Sequence, residues 1–286
     1  MSVTTTTAID FDVAAYLHRI GLSGAWDGAR PPADLATLAR IAAAHGQAIA
    51  YENLDKFTGR ETHLDQASLI TKIVRSRRGG GCYEQNLLLR GVLDALGYTT
   101  TLLSGRALWG RPADTPMPPR THMLLRVELP EGPHIVDAGF GLRLTGVLAL
   151  EPDTEQPTPH GLLRLQPDGS AFVLEALLGG RWMALYRFDL AESYMADFSM
   201  SNFYNTHHPD SMMVGRLLIG RADTDRRYAL SGRRSTGLSL AVHHVDGPSE
   251  RQALETPAAV RRALEDQFLI DLSGLPDLDR ALTTLF

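Results

Sequence analysis

Apolar positions recur at helical spacing through the first third of the chain and at strand spacing through much of the remainder. Val13, Leu17 and Ile20 make one face of a short helix over 12–20, which Gly21 ends. Leu35, Leu38, Ile41 and Ala42 make the inward face of a second helix over 34–45. Asp65 stands where an N-cap belongs, ahead of a third helix with Leu69, Ile70, Ile73 and Val74 inward. Leu88, Val92, Leu93 and Leu96 stripe a helix that begins at Cys82 and stops at Gly97. Beyond Gly97 the period falls to two. Residues 99–104, 107–109, 123–129, 135–136, 162–165, 171–176 and 182–188 read as strands. A loop with four prolines fills 110–119, and Glu131-Gly132-Pro133 and Pro167-Asp168-Gly169 read as turns. Further short strands are expected within 216–245. Thr256 caps a helix with Pro257 at its first position and Val260, Leu264 and Phe268 inward, and a short helix is expected over 277–285. The pattern predicts an α+β chain: a helical first third, then a small antiparallel barrel or curled sheet, then mixed strands and helices.

Composition narrows the function classes. With 286 residues, 44% apolar and 21% charged, the chain can bury a sizeable core. A net charge of −5 and a pI near 6.0 give no electrostatic footprint for nucleic acid. No apolar run reaches membrane-spanning length, and Met1 to Asp10 lack the basic and apolar regions of a signal peptide. One cysteine excludes an internal disulfide framework and fits a reducing compartment. A cytoplasmic protein with neither nucleic-acid nor membrane partners is expected. No internal repeat or low-complexity linker is evident.

That single cysteine lies in Arg77-Arg78-Gly79-Gly80-Gly81-Cys82-Tyr83-Glu84-Gln85-Asn86. A lone cysteine is by default a small buried apolar residue. The glycine run, the two arginines and the helix onset point instead to a nucleophile, because the unpaired N–H groups and dipole of a first turn favour a thiolate. A nucleophilic thiol needs a base, and the base needs an orienting group. Of ten histidines, His18 and His45 fall on predicted helices and read as partly exposed or as caps. His63 falls in a loop, His207 and His208 in a polar loop, and His243 and His244 in a late strand. His122 differs, since it opens the 123–129 strand directly after the proline-rich loop. Asp137 comes after the apolar pair Ile135-Val136. If these strands form a hairpin, His122 and Asp137 meet at its open end. On spacing alone, a Cys–His–Asp constellation and a scatter of structural residues both stay open.

The same residues carry a resemblance. Arg78-Gly79-Gly80-x-Cys82-x-Glu84-x-Asn86 is similar to the nucleophile motif of the arylamine N-acetyltransferases. Thr121-His122 ahead of an apolar strand resembles the family's histidine, and Val136-Asp137-Ala138-Gly139-Phe140-Gly141 its acidic segment. Tyr51-Glu52-Asn53-Leu54 resembles its aromatic-Glu-Asn-Leu stretch, and Asn202-x-Tyr204 through His208-Pro209-x-Ser211 its later polar loop. The motifs come in the family's order, with 40 residues from Cys82 to His122, and the likeness extends from about residue 12 to the C-terminus. It implies a helical domain over 1–97, a β-barrel domain over 98–212 and an α/β lid over 213–286. It implies Cys82 as nucleophile, His122 as base and Asp137 as orienting acid. It further implies substrate contacts at Tyr51, Gly81, Trp109, Thr121, Phe140 and Met213. Coenzyme contacts are implied at Gly139, Gly141, Thr206, His207 and His208, with no metal and no permanently bound cofactor. The implied reaction is ping-pong: an acyl-coenzyme A thioester acylates Cys82, and an aromatic amine then takes the acyl group as an amide.

Three departures bear on substrate. The residue before the cysteine, usually aromatic, is Gly81; Met213 stands where an aromatic lining residue is expected; and the family's Ser-Thr-His-Pro reads Thr206-His207-His208-Pro209. The first two remove aromatic bulk, and methionine adapts to varied shapes. The third lies where the family binds the coenzyme. A roomier acyl site would suit the family's amide-synthase branch of ansamycin-type polyketide pathways. Those enzymes close a macrolactam by joining an acyl chain, held as an acyl-carrier-protein thioester, to the chain's own arylamine. Two further classes stay open: a thiol hydrolase or transglutaminase using the same triad logic, and a non-catalytic thioester-binding module.

Overall fold

The computed structural model describes residues 11–112, 114–141 and 146–286. The helical part comprises α1 (Val13–Arg19), α2 (Leu35–Ala48), α3 (Leu54–Phe57), α4 (Gln66–Leu69) and α5 (Cys82–Leu96). Asp12, Asp34 and Asp65 each accept a hydrogen bond from the first turn they precede, satisfying an otherwise unpaired N–H. Past α4 the chain widens into a π-helical stretch over Ile70–Arg75. Leu69, Ile70, Ile73 and Val74 remain buried through that change, as the helical period predicts. The Arg19 guanidinium donates to the carbonyl of Ile73 at 3.0 Å and to that of Ala48 at 2.8 Å. Gly97, in the left-handed region at φ +97°, ends α5 where the sequence places its stop.

The next eight elements are strands: β1 (Thr99–Ala107), β2 (His122–Leu129), β3 (Gly132–Val136), β4 (Val147–Ala149), β5 (Gln156–Thr158), β6 (Gly161–Asp168), β7 (Ala171–Leu178) and β8 (Arg181–Glu192). They form one antiparallel sheet in the order β4-β3-β2-β1-β8-β7-β6-β5. The edges nearly meet. The Gln156 side chain accepts from Ala149 N at 2.8 Å and donates to Ala149 O at 2.9 Å, tying β5 to β4 and almost closing a barrel. Period-two alternation divides β1, β2 and β3 between two cores. Leu103, Leu124 and Ile135 point into the barrel with Leu165, Leu185 and Tyr186. Their neighbours Leu102, Met123, Leu125 and Val136 point out against α5.

A second antiparallel sheet is built from β9 (Leu217–Ala222), β10 (Arg226–Arg233), β11 (Gly237–His244) and β12 (Glu250–Leu254). It packs on α7 (Pro257–Asp266) and α8 (Leu278–Thr283), burying Val260, Leu264 and Phe268. Tyr51 joins this sheet to the nucleophile segment. Its backbone exchanges two hydrogen bonds with Gly220 of β9 and bridges Gly80 on its other side. No helix among the described residues is long and apolar enough to cross a membrane.

Several boundaries move. The expected strands 99–104 and 107–109 are one strand ending at Ala107, and Trp109 lies beyond it. The turns shift by a residue or two, because Gly132 already pairs with Leu129 and Asp168 with Ala171. The loops there are Pro130-Glu131 and Gly169-Ser170. Residues 202–207, read as polar loop, belong to α6 (Met195–His207). That helix buries only Phe198 and Asn205, one residue every second turn, too sparse a stripe to read as a helix. His45, read as partly exposed or a cap, is fully buried between the Tyr16 hydroxyl at 2.8 Å and Gln85 Oε1 at 3.0 Å.

Candidate active site

Close backbone packing places Cys82 before any of its polar partners does. A Cβ at Gly79 would lie 2.0 Å from Ala50 O, so only glycine lets the 79–80 segment pair with 50–52. A Cβ at Gly139 would lie 2.5 Å from Cys82 Cα and 2.7 Å from Cys82 O. The chain after β3 thus presses directly on the first turn of α5. Glu84 accepts from Gly81 N at 2.9 Å, capping the helix that Cys82 opens.

Asn86, one turn along α5, joins the helix to both strands. Its Nδ2 donates to Met123 O at 2.8 Å and to Asp137 Oδ1 at 3.0 Å, and its Oδ1 accepts from Ala138 N at 3.0 Å. Gly139 N donates to the same Asp137 oxygen at 2.7 Å. The other carboxylate oxygen, Oδ2, lies 2.6 Å from His122 Nε2. The β2–β3 hairpin therefore does bring His122 and Asp137 together. With Nε2 engaged, Nδ1 is the ring nitrogen left for Cys82, whose charge favours the imidazolium and whose thiol points at Thr121 O at 3.6 Å.

Cys82 and His122 are buried, and the Asp137 side chain is only 9% exposed. Burial alone would strip the imidazolium of its proton, but the charge and hydrogen bond of Asp137, with a smaller contribution from Cys82, push His122 up to about 10. Burial likewise works against the Asp137 carboxylate. His122, Asn86 and the Gly139 N–H outweigh it and hold that carboxyl below the usual range. The His122 ring is fixed edge-on to Phe140 at 5.2 Å and tilted on Tyr186 at 4.6 Å. Gly105 faces it across the β1–β2 pair, and a Cβ there would sit 3.5 Å from His122 Cδ2.

Below the nucleophile lies a buried charge network. Arg78 donates to Glu52 Oε1 through Nε (3.0 Å) and Nη2 (2.8 Å), and to Asp55 at 3.1 Å. Lys72 pairs with Asp55 at 2.5 Å and with Glu84 at 2.6 Å. A cleft of about 640 Å³ opens on the far side of this network, lined by Arg60, Glu61, His63 and Lys72 among others, and holds none of Cys82, His122 or Asp137.

The other expected site residues fall into two groups. Tyr51, Phe140, Gly141 and Met213 form a connected wall. The Tyr51 hydroxyl meets Met213 Sδ at 3.4 Å, and Gly141 packs against the Tyr51 ring. Thr121 lends its carbonyl to Cys82, and Gly139 packs on Cys82 as above. No hydrogen bond or ring contact among the described residues joins Trp109, Thr206, His207 or His208 to the triad. Trp109 is exposed after β1, Thr206 bonds Asn202 O within α6, and the rings of His207 and His208 stack on Phe203 and Tyr204 at 4.5 Å. Sequence reasoning missed Asn205, whose Nδ2 donates to Thr121 O at 3.2 Å from α6, and Tyr186 on the barrel's inner face. It quoted Asn86 without a role, although an asparagine one turn after the nucleophile is placed to reach whatever strand covers the helix.

A family model described as N-acetyltransferase matches residues 34–276. The chain is similar to the arylamine N-acetyltransferase of Mycolicibacterium smegmatis, 39% identical over 272 residues that cover 94% of this chain and 95% of that protein. It is similar to the Escherichia coli K12 enzyme of the same name, 36% identical over 255 residues covering 88% and 86%. The structure of Mycobacterium marinum arylamine N-acetyltransferase in complex with CoA superposes with a TM-score of 0.88 at 36% identity, over 96% of this chain and 98% of that one. These matches define an acyltransferase. More narrowly, the chain belongs to the arylamine N-acetyltransferase family.

Proposed function

We propose that this enzyme transfers an acyl group from an acyl-coenzyme A thioester to the amine of an arylamine, through an acyl-Cys82 intermediate. The observation that carries the reading is Cys82 at the start of α5 against an imidazole held 2.6 Å from Asp137. Cys82 is the nucleophile, His122 the base and Asp137 the group that fixes the imidazole tautomer. Asp137 Oδ2 accepts the hydrogen bond from Nε2–H and stays ionised, which leaves Nδ1 to exchange a proton with sulfur. The sulfur attacks the thioester carbonyl, a new S–C bond forms, and the coenzyme leaves as a thiol with the proton that His122 held. The amine nitrogen then attacks the acyl-Cys82 carbonyl, His122 takes its proton, and the thiol is regenerated as the amide departs. The positive end of α5 favours negative charge at the reacting atoms throughout.

Tyr51, Phe140, Gly141 and Met213 are read as the wall against which the arene lies, with Trp109, Thr206, His207 and His208 further out along the coenzyme's approach. The open face of Gly81 turns toward Lys56 and Glu84. A polar wall there supports a small or polar acyl group more than a long apolar chain delivered by a carrier protein. The test is amide formation from acetyl-coenzyme A and an aromatic amine by wild type and Cys82→Ser. The variant is expected to fold and lose the reaction by several powers of ten; retained transfer would overturn the assignment.

A further inference from the structure

Lys56 lies on α3, and its side chain runs beneath the nucleophile segment. A Cβ at Gly81 would sit 3.9 Å from Lys56 Nζ and 3.7 Å from Glu84 Oε2, so a side chain at the residue before Cys82 would lie against the ammonium. The neighbouring cations already have partners. Lys72 holds Asp55 and Glu84, and Arg78 holds Glu52 and Asp55. The Lys56 ammonium makes no hydrogen bond or ion pair among the described residues. Burial pulls its pKa below the ordinary lysine value, and Lys72 adds to that. The charge on Cys82 opposes it most, ahead of Glu84 and Glu52. Of the negative charges that hold the ammonium charged there, that of the nucleophile is the largest.

Acylation removes that charge, because a thioester sulfur is neutral. The ammonium is then left in a largely desolvated place with no counter-charge of its own. An acyl group that ends in a carboxylate restores a negative charge close to where the thiolate was. We propose that Lys56 forms a carboxylate subsite beside Cys82, so that the enzyme accepts short dicarboxylic half-thioesters of the succinyl type as acyl donors as well as neutral ones. The inference rests on the thioester reading given above. The step is the same exchange: the Cys82 S–C bond forms, the coenzyme S–C bond breaks, the coenzyme takes up the proton, and the distal carboxylate stays ionised against Lys56 Nζ. Gly81 belongs to the same device, since an aromatic ring at 81 would cover the ammonium.

The test is acylation of the full chain by acetyl-coenzyme A and by succinyl-coenzyme A, read as the intact mass of the Cys82 adduct and as the ratio of kcat/KM for the two donors. Wild type is expected to form both adducts. Lys56→Met should lower the succinyl-to-acetyl ratio by about tenfold or more, the scale of one lost charged hydrogen bond. Lys56→Arg, which keeps the charge, should hold the ratio within a few-fold and guards against a fold defect in the methionine variant. A wild type that takes acetyl but no succinyl groups, or an unchanged ratio in Lys56→Met, overturns the subsite alone. Failure of both donors on wild type overturns the thioester reading, and this inference with it.

Discussion

Replacing Asp137 with asparagine keeps its size and tests the imidazole most sharply. Two N–H donors, Asn86 Nδ2 at 3.0 Å and Gly139 N at 2.7 Å, point at Oδ1. The asparagine oxygen must stay there to accept them, so its NH₂ group turns to His122. Nε2 then has to accept, which puts the remaining ring proton on Nδ1, the nitrogen that should take the proton from Cys82. The charge is lost as well. His122 stands at about 10 instead of its ordinary 6.5. That difference is worth on the order of 5 kcal/mol between charged and neutral imidazole. With Asp137 gone, burial is left opposed only by the smaller contribution of Cys82. Loss of the orienting acid in a triad of this logic costs kcat about 10⁴-fold. The assay is the rate of Cys82 alkylation by iodoacetamide from pH 5 to 9, alongside kcat/KM for acetyl transfer. The variant should alkylate more slowly at pH 6 to 7 and transfer at least 10³-fold more slowly, an order-of-magnitude expectation from the same logic. An unchanged alkylation profile, or a loss below about tenfold, would refute the reasoning. Stability should change in step. His122 is raised, so its contribution is full below about 6.5 and disappears as pH climbs toward 10; Asp137 is lowered, so its contribution disappears as pH falls through the acid range. The variant's deficit in Tm should therefore be largest between roughly pH 4 and 6.5 and shrink toward pH 10.

Gly139→Ala forces a methyl to within 2.5 Å of the Cys82 backbone. It should cost about 1–3 kcal/mol by urea denaturation, more than Gly141→Ala, whose Cβ would meet the Tyr51 ring at 3.4 Å; equal costs would contradict the close packing of 139 on the nucleophile. Arg78→Met leaves Glu52 without its buried partner and should cost about 3–5 kcal/mol, measured the same way. A loss under about 1 kcal/mol would mean that water reaches Glu52.

The α5 stripe and its glycine stop were legible because the apolar period is unbroken and Gly97 takes a conformation that favours glycine. The approach of His122 to Asp137 was legible because two short strands joined by a tight turn have few registers that bury Leu125 and Val136 on one face. Helix α6 was not, since Met200 and Phe203 face outward and break the apolar pattern. His45 was not either, because a histidine buried between Tyr16 and Gln85 leaves no local signal for partners 29 and 40 residues away. Sequence marked Gly81 as missing aromatic bulk. That the vacated side faces a lysine three residues past Asn53 needed the fold, which brings α3 under the nucleophile segment.

The central claim is a covalent acyl-enzyme on Cys82, and trapping it is the most direct measurement. Wild-type enzyme would be mixed with acetyl-coenzyme A without amine, freed of small molecules, weighed intact and mapped by peptide mass. An aromatic amine would then be added. The account predicts one acetyl group per chain, on the Cys82 peptide, labile to hydroxylamine as a thioester is, and discharged to the amine in a single turnover. An enzyme that forms amide from the two substrates together, yet carries no acetyl group on Cys82 before the amine arrives, would contradict it.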